Sequence, residues 1–135
     1  MRFSTRLSIR FWAPAIATAL LAAPAARADI TVLDNDKTID VDCAKDARIN
    51  LQGNHLTVNA SGVCTAISID GNEVTVTGSA TRVIINGNHN TLDLTAADEV
   101  AVHGNDNTVT VHKPVKAKAP RVSNTGKHNK LTLPK

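Results

Sequence analysis

Along this chain, aliphatic residues occupy every second position in short runs, and a polar corner separates one run from the next. Val83-x-Ile85-x-Gly87-Asn88-x-Asn90-Thr91-Leu92-x-Leu94 is followed by Val100-x-Val102-x-Gly104-Asn105-x-Asn107-Thr108-Val109-x-Val111. The same pattern recurs four more times: Ile30, Val32 / Asp34-Asn35 / Ile39, Val41; Ile49, Leu51 / Gly53-Asn54 / Leu56, Val58; Ile67, Ile69 / Gly71-Asn72 / Val74, Val76; and Val122, Asn124 / Gly126-Lys127 / Leu131, Leu133. Of the 24 inward positions so defined, only Asn124 is not Val, Ile or Leu. Alternation at period two predicts half-buried strands, two short ones per unit. Corners at 34, 53, 71, 87, 104 and 126 are 16 to 22 residues apart. A repeat of that length with two strands and a polar corner predicts an all-β fold, a small single-stranded β-solenoid (β-helix) of about six coils. No unit can bury its own aliphatic row, whereas stacking coils about 4.8 Å apart completes a shared core. An antiparallel β-meander or sandwich is the alternative, since the same phrase suits a tight hairpin. The solenoid is preferred because Gly-Asn-x-Asn-Thr corners read as two residues longer than Gly-Asn-His or Gly-Asn-Glu corners while the aliphatic phase is kept. Repeated residue types at one corner also make more sense stacked than spread along a sheet.

Each corner residue type has a physical reason. Gly53, Gly71, Gly87, Gly104 and Gly126 suit a turn needing positive φ, and Asp34 is among the few residue types that tolerate one. Asn35, Asn54, Asn72, Asn88 and Asn105 are expected to stack as an amide ladder. Lys127 breaks that ladder in the last coil, where Asn124 breaks the aliphatic row, and both fit a polar terminal cap. Cys43 and Cys64, the only cysteines, fall on the linkers leaving adjacent coils and are expected to form a disulfide.

Targeting alters the charge picture. Arg2, Arg6 and Arg10 precede an apolar run from Phe11 to Ala23, and Ala26-Arg27-Ala28 supplies a cleavage site. Residues 1–28 are therefore expected to be a signal peptide and 29–135 the solenoid domain, secreted to the periplasm or the cell exterior. The apolar run is too short to span a membrane, and no Cys near the cleavage site points to lipid attachment. Loss of Arg2, Arg6, Arg10 and Arg27 takes the basic residues from 15 to 11 against 12 acids. Asp29 to Val111 carries four basic residues and all 12 acids, whereas the remainder carries seven basic residues and none. The mature molecule is an acidic body with a basic end. Both Phe and the single Trp lie in the leader and Tyr is absent, so aromatic platforms for sugars or unpaired bases are excluded.

Three features carry candidate chemistry. Two places after each corner anchor stand Asp36, His55, Glu73, His89, Asp106 and His128, which would stack as an alternating acid–imidazole column. Such a column avoids like-charge neighbours, and as a functional feature it would be a pH-sensitive or ion-binding edge. Histidines two rungs apart, even with His103 near Asp106, fall short of a zinc ligand set, so no metal or other cofactor is expected. The long connection 112–121, bracketed by Pro114 and Pro120, presents Lys113, Lys116, Lys118 and Arg121 to an anionic partner such as lipopolysaccharide, teichoic acid or phospholipid headgroups. An envelope protein is the other partner class. Nucleic acid is not expected, because the rest of the domain is acidic. Outward Asp40, Thr57, Thr75, Asp93, Thr110 and Thr132 set out a broken threonine array of the kind ice-binding surfaces use. No nucleophile elbow, phosphate loop or zinc-protease helix is present, and an enzyme is not expected.

The phrase Gly-Asn-x-Asn-Thr-Val-x-Val, at Gly87–Leu94 and Gly104–Val111 and loosely at Gly126–Leu133, resembles exported bacterial repeats grouped as domain of unknown function 3060. The resemblance spans about residues 30–133. It implies a non-enzymatic exported module of the cell envelope and carries over no functional residue.

Overall fold

The computed structural model describes residues 29–43 and 47–135. The leader expected over 1–28 lies outside them, as does Lys45. All regular structure in the described residues is strand: β1 (Asp29–Val32), β2 (Thr38–Asp42), β3 (Arg48–Gln52), β4 (Thr57–Asp70), β5 (Thr75–Asn86), β6 (Thr91–His103), β7 (Thr108–Val111), β8 (Arg121–Asn124) and β9 (Lys130–Thr132).

Every ladder is parallel, and each pairs a segment with its counterpart one lap later. One wall stacks Ile30, Ile49, Ile67, Val83, Val100 and Val122 in register. The other stacks Ile39, Val58, Val76, Leu92, Val109 and Leu131. The chain is thus a β-solenoid of about six coils, and the antiparallel alternative is ruled out. Val, Ile and Leu fill the narrow space between the walls. Eighteen of the 24 inward positions are buried. The six exceptions are Ile30 and Ile39 in the first described coil, and Val122, Asn124, Leu131 and Leu133 in the last, where no further described coil covers them.

Two expectations change. Two short strands per unit hold only toward the ends. In the middle, the strand leaving one corner runs on through the far side into the next coil, giving β4, β5 and β6 of 14, 12 and 13 residues. Register shifts at Asn59/Val63 and Gly78/Ser79 bend these long strands, as bulges do. The corners, moreover, are all of one length. Thr38, Thr57, Thr75, Thr91 and Thr108 share a register, so Leu56 and Val74 stand where Asn90 and Asn107 stand in later coils. A buried corner position accepts an aliphatic side chain or a fully bonded amide, which is why the hydrophobic pattern there misled.

The Cys43–Cys64 disulfide is present, with Cα atoms 4.8 Å apart and both residues buried. It ties the first coil to the second.

A charged corner column and a cleft beneath the basic loop

At the corner, backbone sterics choose the residues. A Cβ at Gly53 would overlap the Asp34 carbonyl oxygen, and Gly71, Gly87, Gly104 and Gly126 meet the carbonyl of the preceding coil's corner in the same way. The glycines are thus needed for close stacking. Asp34 has no described coil before it, and positive φ is not what it supplies. Of the corner glycines Gly87 and Gly104 do have positive φ, 151° and 150°, whereas the left-handed residues of every coil are the next but one: Asp36, His55, Glu73, His89, Asp106 and His128, all with φ between 54° and 58°. Asp, His and Asn are the side chains that tolerate this region best, so the alternation of Asp and His is in part a backbone requirement. Their N–H groups donate to the next coil's corner, as from His55 to the Asn72 carbonyl at 3.1 Å.

Two amide ladders brace the corner. In the outer one, each Asn Oδ1 accepts from the next coil's backbone N–H: Asn35 from Asn54 at 2.8 Å, Asn54 from Asn72 at 3.1 Å, Asn72 from Asn88 at 3.0 Å and Asn88 from Asn105 at 2.9 Å. Lys127 ends the side-chain ladder, yet its N–H still donates to Asn105 Oδ1 at 2.9 Å. The inner ladder is absent from the sequence reading. Asn90 and Asn107 are fully buried. Asn90 Oδ1 accepts from the Val74 N–H at 2.8 Å, and Asn107 Oδ1 from the Asn90 N–H at 2.9 Å. Their Nδ2 groups donate to the carbonyls of Gly71 and Gly87 at 3.0 Å. The second Asn of Gly-Asn-x-Asn-Thr was the signal for this ladder.

The acid–imidazole column forms as two exposed groups. His55 lies 3.5 Å from Asp36 and 3.0 Å from Glu73. Asp106 lies 3.9 Å from His89 and 3.6 Å from His128. His103 instead bonds Thr125 Oγ1 at 2.8 Å. Among the described residues no three His, Cys, Asp or Glu side chains converge as metal ligands. The threonine array does not form one surface. Thr57 and Thr75 stack with Thr38, Thr91 and Thr108, whereas Thr110 and Thr132 fall in a different column with Asp40, Asn59, Thr77 and Asp93.

The basic loop has a defined anchor. Asp98 accepts from the backbone N–H groups of Val115 at 2.7 Å, Lys116 at 3.0 Å and Ala117 at 3.0 Å. The Lys116 N–H, then that of Ala117, hold this carboxyl below the ordinary aspartate range. Partial desolvation opposes them, while the Val115 N–H and the Lys116 charge add to the lowering. Ala97 N–H also donates to the Lys113 carbonyl at 3.0 Å, and His112 Nε2 lies 2.7 Å from Asp93. Lys113, Lys116, Lys118 and Arg121 are all exposed.

Beneath the loop lies a cleft of about 520 Å³. Its base is the part from Arg48 onward of one outward register column in which Asp29, Arg48, Ala66, Arg82, Glu99 and Arg121 stand above one another. Asn50, Ser68 and Ile84 form the adjacent column, and Ala117 of the loop completes the rim. Arg82 pairs with Glu99 at 2.9 Å. Arg48 and Arg121 have no carboxylate partner among the described residues. Four of the cleft's charged residues escaped the sequence reading, which aligned the coils by their inward aliphatics and corners and did not follow the outward residues before each first aliphatic.

These features define a small parallel β-solenoid with charged edges. Residues 70–128 match the model of a family described as "Protein of unknown function (DUF3060)". The match covers the coils bearing the full Gly-Asn-x-Asn-Thr phrase. No curated protein and no solved structure matches the chain.

Proposed function

We propose that this domain is a non-enzymatic interaction module of the cell envelope that contacts an anionic envelope polymer through its basic loop. The observation that carries this reading is the loop itself: Asp98 gathers three consecutive N–H groups, leaving Lys113, Lys116 and Lys118 exposed on a preset turn. A preset loop loses less conformational freedom on binding than a free one. The disulfide fits an oxidising, exported location. No described helix is long and apolar enough to cross a membrane.

The test is co-sedimentation with phosphatidylglycerol vesicles, lipopolysaccharide and teichoic acid at rising salt. A lysine near an anionic surface contributes about 1 kcal/mol. Replacing Lys113, Lys116 and Lys118 by Ala is therefore expected to weaken binding roughly a hundredfold. Binding that persists in the triple variant, or that ignores salt, would sink the proposal.

A further inference from the structure

We propose that the cleft beneath the loop is a binding site for a hydroxylated small molecule bearing phosphate or carboxylate groups, such as an acidic sugar or a sugar phosphate. This goes beyond the loop's outer lysines and does not depend on them. The size is right: about 520 Å³ falls within the range of small-ligand pockets.

The charge arrangement selects the ligand. Five ionised side chains line the cleft, Arg48, Arg82, Arg121, Asp98 and Glu99. The two carboxylates are already engaged, Asp98 by the loop N–H groups and Glu99 by Arg82. Among the described residues Arg48 and Arg121 form no ion pair, although Arg48 stands in register between Asp29 and Ala66 and Arg121 follows Glu99 at the far end of the column. Guanidinium groups bind phosphate and carboxylate through paired, charge-assisted hydrogen bonds. Between them Ala66 leaves a hollow, because it stands in register between Arg48 and Arg82 without filling the space a longer side chain would take. Asn50 and Ser68 supply an amide and a hydroxyl beside that hollow, suited to the hydroxyls of a polyol body. Ile84 offers a small apolar surface, and no aromatic ring is present for stacking. Recognition therefore rests on charge and hydrogen bonds.

The experiment is a titration of the purified protein, followed by NMR and calorimetry, with glucuronate, galacturonate oligomers, glucose 6-phosphate, inorganic phosphate and neutral galactose. The expected result is saturable binding of an acidic sugar or sugar phosphate, with shifts at Arg48, Asn50, Ser68 and Arg121 and none with galactose. Comparing glucuronate with glucose 6-phosphate identifies the anionic group, and comparing monomer with oligomer separates a free ligand from a polymer segment. Arg48→Gln is expected to weaken binding about tenfold or more. Ala66→Glu, an outward change that sets a carboxylate between two arginines, is expected to abolish binding while the circular dichroism and melting curve stay unchanged. The Lys113, Lys116, Lys118 triple variant is expected to bind the small probes as the parent does, so failure of the polymer proposal leaves a distinct mark. Absence of saturable binding to every acidic probe, or shifts confined to the outer lysines and indifferent to Ala66→Glu, would overturn the site.

Discussion

At the residue scale, one atom decides the corner. Gly71 tolerates no Cβ because the Gly53 carbonyl occupies that space. Gly71→Ala must push two coils apart at their most regular contact, and overpacking of this kind costs about 1–3 kcal/mol. The expected result in urea denaturation is a lower midpoint with an unchanged slope. Asp34→Ala, at the equivalent place in the first coil, is expected to stay within about 0.5 kcal/mol of the parent. Equal losses at both sites would show that close stacking is not the reason for the glycines. The left-handed conformation of Asp36, His55, Glu73, His89, Asp106 and His128 belongs to the same scale. It was not legible, because the expectation of positive φ settled on the neighbouring glycines, where it holds at Gly87 and Gly104 alone among the corners.

At the scale of elements, the loop after β7 is governed by one carboxylate. The folded-state pKa of Asp98 lies below its unfolded value of about 3.9, so its contribution is present above that value. The contribution is lost as pH falls through the folded pKa. In an acid titration the Val115, Lys116 and Ala117 amide resonances are expected to move together, with a midpoint below the ordinary aspartate value. A midpoint at or above that value would contradict the assignment. Asp98→Asn is expected to loosen the loop while leaving β6 paired, read as faster amide exchange at 115–117 alone. The disulfide acts at the other end. Replacing Cys43 and Cys64 by Ser removes a closure of sequence separation 21 and is expected to cost about 3 kcal/mol in chemical denaturation. A loss near zero would mean that the first coil is held by its ladder alone. The cysteine pairing was legible from spacing; the grip of Asp98 was not, since residues 98 and 115–117 meet only once the coils are stacked.

At the scale of the molecule, the first and last coils each present one edge that no described residue covers, and edges of this kind invite further strands. Their charges are complementary. The first coil carries Asp29, Asp34, Asp36, Asp40 and Asp42, while the last carries Arg121, Lys127, Lys130 and Lys135. A second copy stacked in register would bring Asp29 over Arg121 and Asp36 over His128. It would also drive the Asp34 Cβ into the Gly126 carbonyl, just as a Cβ at Gly53 meets the Asp34 carbonyl. The Asp34 side chain would therefore oppose such a head-to-tail stack, and removing it tests the point. Asp34→Gly is expected to associate at high concentration and to separate with added salt, seen by sedimentation velocity. The same substitution removes an exposed 2.9 Å ion pair with Lys37, which is worth little to stability. A variant that sediments like the parent at every concentration would remove Asp34 from this role.

Alternation of aliphatic and polar residues was enough to favour the β-solenoid over a meander and to count its coils, and the linker cysteines and repeated corner Asn residues foretold the disulfide and the outer ladder. Each depends on a local period that stacking merely repeats. Only the tertiary structure decided the common corner length, the buried Asn90 and Asn107, the grip of Asp98 on the loop and the arginine column of the cleft. All four depend on register between coils, and register is set by where each strand of the core comes to rest against the one before it. Repeats of unequal length conceal that alignment until the chain is wound.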